Sequence, residues 1–541
     1  MDGKTAVAKA LKAEGVEFAS CFPINPLLDA LAAEGIRLIT TRTERVAVGI
    51  ADGFSRASLG KKFGVCLVQN GPGAENAFSG VAQAFADSVP ILVLPAGYDR
   101  RNRKRPLFSA DHNYREITKY VDLAHFADQV PTLMRRAITY LRSGRPGPVM
   151  IEIPTDVASE KFDDGNFSYQ PVKGWKPAGN PEDIDRVAEA LTKAENPVIR
   201  AGNGILYADA SRELQELAEL LDIPVFTTMQ GKSAFGENHP LSLGAGGRTR
   251  TKMVNHFLEK ADLVFAVGSS CTKEGFTTNI PDGIPIIQST IDEIDIGKDY
   301  QVEDAIVGDA KLVLKQLIDV IKDRIGTRTE SRNRKQEVQS IKAQWLKEWE
   351  HKLKSDEVPI NPYRVINDLN QAMDKTSTIF IPESGGPRDL SVPFYEAQTP
   401  GGFIGWGKTT TLGGSLGFAM GAKLAHPEKT VVHLLGDAGI GMIGIDHETA
   451  AREGIPILTM VLNNSIFSGY DKLMPMAIER SNVNRVGGDY TKIAEALGYH
   501  AERVRQPEEI LPAIERAKGV LAGGRPAFLE IFTRVDTDFS R

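Results

Sequence analysis

The sequence has little cysteine. Cys21, Cys66 and Cys271 are scattered through 541 residues, too few and too far apart for a disulfide framework, so a reducing compartment is expected. It has no uninterrupted apolar run of membrane-spanning length, so no membrane partner is expected. It has no excess of positive charge. The formal net charge is -6, which argues against nucleic acid as the main partner. No short-period repeat occurs either. The opening stretch MDGKTAVAKALKAEGVEFA mixes Lys and Glu with Ala, Leu and Val at helical spacing. That pattern reads as an amphipathic helix and not as a secretory signal, so the expected location is cytoplasmic.

What is present is ordinary for a globular protein with a large core: 42% hydrophobic and 25% charged residues. The length suggests several domains. Up to about residue 165, helical patterns alternate with the apolar runs FGVCLV (63–68), ILVLPAG (91–97) and GPVMIEIP (147–154). Strands alternating with helices imply a parallel sheet covered on both faces. A Gly- and Pro-containing stretch at 162–181 reads as a linker. A second α/β segment over 182–325 carries PVIRAG, PVFTT, LVFAVG and PIIQSTI. The charged run 328–357 then predicts an exposed helix bridging two domains. Nucleic-acid binding is its rival reading, but the mixture of both signs of charge favours a solvated face. A third α/β segment spans 358–541. The expected architecture is three doubly wound parallel-sheet α/β domains, over 1–165, 182–325 and 358–541.

The third segment carries the densest signal. In HLLGDAGIGM (433–442), an apolar strand stops at Gly436-Asp437 and small residues follow. Open α/β sheets bind ligands at the carboxyl ends of their strands. Glycine and alanine let a backbone come close to a phosphate, and free N–H groups there bind its oxygens. One carboxylate beside such a loop suits Mg²⁺. Taken alone, Asp437 reads better as a helix N-cap. The next strand, IPILTMVLNN (455–464), also ends in polar residues, Asn463-Asn464. Two neighbouring strands would then bring Asp437 and Asn464 to one sheet edge.

GDAG followed by LNN resembles the thiamine-diphosphate-binding motif, with the family's spacing from Asp437 to Asn464. The resemblance implies that Asp437, Asn464 and the Ile466 carbonyl hold Mg²⁺. It implies that Gly436, Ala438 and Gly439 line the diphosphate. It extends over essentially the whole chain: SGRPGPVMIEIPTDV (143–157) and STIDEIDIGKDYQVEDAIVGDAKLVL (289–314) resemble domain ends of acetohydroxyacid synthase. By the same resemblance Glu44, in TRTERVAVGIADGFSRASLG, hydrogen-bonds the pyrimidine and promotes deprotonation of the cofactor's C2. Its bland reading is an acid favoured by a helix dipole. Asn76, in QNGPGAENAFSG, matches a position near the pyrimidine. Leu412 matches the apolar wedge that bends the cofactor, and Thr410 offers the carbonyl that meets the 4′ amine.

Some positions depart from the family. ESGGPRDL (383–390) stands where Gly-Gln-His is common, leaving Gly386 and Pro387 near the diphosphate. The Gln-Trp element after the double Asn is replaced by SIFSGYDKLMP (465–475). Acetohydroxyacid synthases bind FAD in the central domain, and oxalyl-CoA decarboxylases bind ADP there. AGNGILYADA (201–210) has a lone Gly-x-Gly. The flavin-contacting Arg-Phe-Asp-Asp-Arg stretch is absent, so the sequence commits to neither FAD nor ADP. The basic stretch DRRNRKRPLFSADH (99–112) either faces solvent or collects an anionic substrate. The expected activity is decarboxylation and carboligation of a small 2-keto acid, as in acetolactate synthase. The alternatives are a 2-hydroxyacyl-CoA lyase, a decarboxylase of the 2-keto acid or oxalyl-CoA type, or a non-catalytic thiamine diphosphate binder. The expected assembly is a homodimer or homotetramer with active sites shared between subunits.

Overall fold

A computed structural model describes residues 1–102, 107–325, 333–470 and 472–541. It holds three sheets whose strands all pair in parallel. In the first, β1 (Phe18–Cys21), β2 (Arg37–Thr40), β3 (Gly64–Val68), β4 (Ile91–Gly97), β5 (Tyr120–Leu123) and β6 (Val149–Pro154) run in the order β2-β1-β3-β4-β6-β5. In the second, β7 (Pro197–Ala201), β8 (Val225–Thr227), β9 (Ser242–Ala245), β10 (Leu263–Val267), β11 (Ile286–Thr290) and β12 (Asp304–Val307) run β12-β11-β10-β7-β8-β9. In the third, β13 (Thr378–Pro382), β14 (Thr430–Gly436), β15 (Leu458–Asn463), β16 (His500–Val504) and β17 (Ala527–Phe532) run β13-β14-β15-β17-β16. The predicted apolar runs became the inner strands. β3, β4, β6, β10 and β15 are buried along their whole length, because helices cover both faces of each sheet. Among the described residues no helix is long and apolar enough to cross a membrane.

Two features join the domains. The helix Glu44–Ala57 of the first crosses the helix Ser415–Ala425 of the third almost backbone to backbone. A Cβ on Gly417 would sit 2.7 Å from the Gly49 Cα. The charged run 328–357 forms the helix Arg334–Leu353, and it differs from expectation. Its residues Val338, Ile341, Trp345 and Leu353 are buried, and Trp345 stacks on Phe394 at 4.7 Å. The sparse apolar residues recur at helical spacing and seal the central domain to the third, while the charges take the outer face. Residues 328–332, with which that run begins, lie outside the described residues. So do residues 103–106 of the basic stretch, whose Arg100 pairs with Asp156 at 2.5 Å.

The third domain buries two histidines, His433 and His447. Burial lowers the His447 pKa to about 4 against a smaller upward pull from the Gly444 carbonyl, from an ordinary value of 6.5. The folded state therefore binds fewer protons than the unfolded state between these values. The stability contributed by neutral His447 is complete above pH 6.5 and is lost as pH falls towards 4. Replacing His447 by Asn, which does not titrate, should lessen the acid-induced loss of stability by up to ~3 kcal/mol. Urea unfolding at pH 7 and pH 4.5 checks this; an equal loss in both proteins would contradict it.

Candidate active site

Four strand ends of the third sheet meet around one cavity of about 110 Å³. β14 delivers Asp437, the first residue of the helix Asp437–Ile443. β15, its parallel neighbour, ends at Asn463, and Asn464 follows just outside the strand. β13 leads into Ser384-Gly385-Gly386, and β17 into Thr533-Arg534. Asp437 and Asn464 stand at one sheet edge and touch through the Asn464 backbone. Asp437 Oδ2 accepts the backbone N–H groups of Asn464 at 2.9 Å and Ser465 at 3.1 Å. Asn464 Oδ1 accepts the Ile466 N–H at 3.2 Å, which bends the chain back along the cavity.

The other oxygen, Asp437 Oδ1, is buried without a hydrogen-bond partner among the described residues. Burial pushes the Asp437 carboxyl up, and the two backbone donors pull it down. The Tyr490 hydroxyl faces the same carboxylate and favours its charge, without reaching hydrogen-bonding geometry on Oδ1. An unpartnered buried carboxylate oxygen is costly unless a cation or a donor meets it. Among the described residues no group of three or more His, Cys, Asp or Glu side chains is arranged to hold a metal. A cation here would draw on one carboxylate, neutral oxygens and the oxygens of its ligand, a donor set that suits Mg²⁺.

The cavity is also built for an anion. The helix Gly386–Phe394 begins at its wall, and Gly385 and Gly386 have no heavy atom within 4 Å of where a Cβ would project. Gly436 is nearly as open, with its nearest atom 3.9 Å away. Ala438 and Gly439 line the same wall. Glycines without side chains and the start of a helix thus border open space, where the positive end of the helix dipole favours an anion such as phosphate. Pro387, at the first turn of that helix, forfeits no N–H the helix needs. Arg388 does not reach the cavity. It is buried, bonded to Asp389 at 2.7 Å and stacked on Phe276 at 4.8 Å.

Leu412 lines the cavity from the opposite side. Thr410 precedes it, and the Thr410 carbonyl accepts the Ser384 hydroxyl at 2.9 Å. Glu44 lies elsewhere. It opens the helix Glu44–Ala57 behind the Thr43 cap, is 5% exposed, and accepts Asn76 Nδ2 at 3.2 Å. Neither Glu44 nor Asn76 lines the Asp437 cavity. Sequence reasoning missed Ser384 and Arg534. The same strand-end logic applied to FLEIFTR would have found Arg534, whose Nε is buried without a partner among the described residues.

A larger cavity, about 370 Å³, lies between the first and central domains. The ends of β7 and β10 open into it where the strand order reverses, the usual ligand site of such a sheet. The Gly-x-Gly at 202–204 has a packing role at its edge. Gly204 N–H bonds the Gly268 carbonyl at 2.9 Å, and a Cβ on Gly204 would sit 2.7 Å from the Gly268 Cα.

Three family models match the chain in order: thiamine pyrophosphate enzyme, N-terminal TPP binding domain (1–120), central domain (184–317) and C-terminal TPP binding domain (387–531). The chain belongs to the thiamine pyrophosphate enzymes. It is 33% identical to a probable acetolactate synthase large subunit of Methanococcus aeolicus over 96% of this chain and 90% of that one. It is 32% identical to a protein of the same description from Methanocaldococcus jannaschii, over 98% and 92%. It is 30% identical to a glyoxylate carboligase of Escherichia coli O157:H7, over 99% and 93%.

Asp437→Ala removes the carboxylate of the cavity that has an unpartnered oxygen; the other, Asp536, is paired with Lys352 and Arg534. Thiamine diphosphate affinity, measured by calorimetry in Mg²⁺, should weaken by roughly 1.5–3 kcal/mol, the scale of a charged hydrogen-bonding partner. Unchanged affinity in a folded variant would remove Asp437 from the site.

Proposed function

We propose that the chain is a thiamine-diphosphate- and Mg²⁺-dependent carboligase that decarboxylates a small 2-keto acid and joins the remainder to a second carbonyl compound. The observation that carries this reading is the unpartnered Asp437 Oδ1 in a cavity walled by open glycines. Asp437, the Asn464 side chain and the Ile466 carbonyl would hold Mg²⁺, and Gly386, Gly436, Ala438 and Gly439 would receive the diphosphate. Bound there, thiamine diphosphate supplies a nucleophilic carbon and an electron sink for a C–C bond beside a carbonyl. The protein's part is positional and electrostatic. Leu412, which lines the cavity, would supply the apolar contact for the rings. The Thr410 carbonyl has a second lone pair free to accept the 4′ amine. Glu44, oriented by Asn76, would hold or return a proton at the ring nitrogen.

Glu44 and Asn76 lie outside the cavity that Asp437 lines, which supports a site completed across a homodimer, with Glu44 of one chain serving the cavity of another. The relatives support the reaction class. They are acetolactate synthase large subunits and a glyoxylate carboligase. Pyruvate should yield acetolactate or acetoin, or glyoxylate a three-carbon condensation product, in each case with CO₂ release. Cleavage of 2-hydroxyacyl-CoAs, with neither keto acid consumed, would replace this reading by the lyase alternative. Glu44→Gln should keep diphosphate affinity and lose activity by at least ~100-fold, the scale of acid–base catalysis. Mixing it with Asp437→Ala under subunit exchange should restore part of the activity through sites carrying neither change. No restoration, with exchange verified by mass, would place both residues in sites of one chain.

The central cavity suits a ligand bearing phosphate, the class that includes FAD and ADP. Lys61, Arg145, Lys176 and Lys408 line it. Burial, with Arg145 and Lys298 nearby, lowers the Lys408 pKa to about 8. A second anion would relieve that repulsion. ADP or FAD should raise the melting temperature of the protein, and less so in Lys408→Ala; a shift with neither nucleotide would leave this cavity without that role.

A further inference from the structure

Residues Thr410–Gly413 carry Leu412 and are gripped from three sides through the backbone. Ser384 Oγ donates to the Thr410 carbonyl at 2.9 Å. The Arg45 guanidinium, from the first domain, donates to the Leu412 carbonyl. Glu383 Oε2, from the end of β13, accepts the Gly413 N–H at 3.0 Å. Gly413 has φ +90°, a conformation that other residues rarely adopt. The grip and the glycine together fix one path for this segment.

Glu383 is fully buried and hydrogen-bonded through both carboxyl oxygens. Its Oε1 accepts the Ser384 N–H at 2.8 Å, and Oε2 also accepts the Ser415 hydroxyl at 2.7 Å. Ser415 Oγ lies 2.7 Å from His433 Nε2, and His433 Nδ1 lies 3.4 Å from the Thr459 hydroxyl. Since Ser415 gives its proton to the carboxylate, neutral His433 carries its own on Nε2 and gives it to Ser415, while Thr459 gives to Nδ1. Every donor in this chain points towards Glu383. Burial pushes the carboxyl up, and the Ser415, Ser384 and Gly413 donors pull it down. The carboxylate also stands directly behind the Asp437 helix, where a Cβ on Gly439 would meet Glu383 Cγ at 3.0 Å.

A buried polar assembly of this size adds little stability over apolar packing of equal volume. Its effect is geometric. We propose that Arg45 and Glu383 are positioning residues, a clamp from two domains that sets Leu412 and the Thr410 carbonyl for the pyrimidine end of the cofactor. This rests on the roles given above to Leu412 and Glu44. Arg45 follows Glu44 at the first turn of its helix, so one turn holds the arm that grips its own chain's Leu412 and the acid that serves another chain's cavity.

The test measures exchange of the cofactor's C2 hydrogen in D₂O by proton NMR after acid quenching, alongside thiamine diphosphate affinity by calorimetry and the melting temperature. Arg45→Gln should slow exchange roughly 10- to 100-fold, the effect of misplacing a reacting group by about 1 Å. Affinity and melting temperature should stay close to those of the unaltered protein, because the diphosphate end is untouched. Arg45→Lys should recover part of the rate. Glu383→Gln should slow exchange as well, and Arg45→Gln keeps the test open where that buried change prevents folding. Unaltered exchange in folded Arg45→Gln overturns the clamp. So does a fall in rate that merely tracks a fall in affinity and melting temperature. If the unaltered protein itself exchanges C2 no faster than free cofactor, the site assignment fails first, and the clamp with it.

Discussion

The three domains are pinned by one buried arginine. Arg56, on the helix Glu44–Ala57, bonds Asp52 one turn earlier, Asp87 at 2.9 Å and the Gly405 carbonyl at 3.3 Å. Asp87 in turn accepts Gln83 at 2.7 Å and the N–H groups of Gly407 at 3.3 Å and Lys408 at 3.1 Å. Its backbone carbonyl accepts Asn203 of the central domain at 3.3 Å. A buried pair of this kind gives little net stability, but losing one member strands the other as an uncompensated charge. The junction therefore tolerates few arrangements. It holds the stretch 405–409 immediately before the segment that carries Thr410 and Leu412.

From that junction the active-site half of the third domain is built with few special residues. Parallel strands end at one edge, so β13, β14, β15 and β17 contribute their following residues to one cavity. Each contribution is different: an open glycine pair, a carboxylate, an amide and a guanidinium. The Asp437 carboxylate has one oxygen unpartnered and no acidic cluster around it among the described residues; Asp536, also in the wall, is paired with Lys352 and Arg534. Glycines serve two purposes here. Gly385 and Gly386 leave space for a ligand, whereas Gly439 leaves space for Glu383.

Much of this was legible in the sequence, for a definite reason. Inner strands of a covered parallel sheet are apolar on both faces, so β3, β4, β6, β10 and β15 stood out as short uniform runs. Edge strands were not legible. β2, β12 and β16 are partly exposed and carry Arg37, Asp304 and Glu502, so their sequences look like loop or helix surface. The charged helix Arg334–Leu353 misled in the same way, because its few buried residues are outnumbered by solvated ones.

The site divides along the same line. Asp437 and Asn464 were readable because a strand end is local, and neighbouring parallel strands carry both residues to the same edge. Arg45 and Glu383 were not. Their partners, Leu412 and Gly413, are 367 and 30 residues away, and the contacts are to backbone atoms, which leave no trace in residue identity. The sequence by itself determined the three sheets, and the glycines and the Asp437 carboxylate at the strand ends, since each follows from local periodicity and from which side chains are small or charged. Only the tertiary structure decided that Glu44 lies away from the Asp437 cavity, that Glu383 is buried with both oxygens hydrogen-bonded, and that two domains grip one segment, because these depend on distances between parts of the chain that no local pattern encodes.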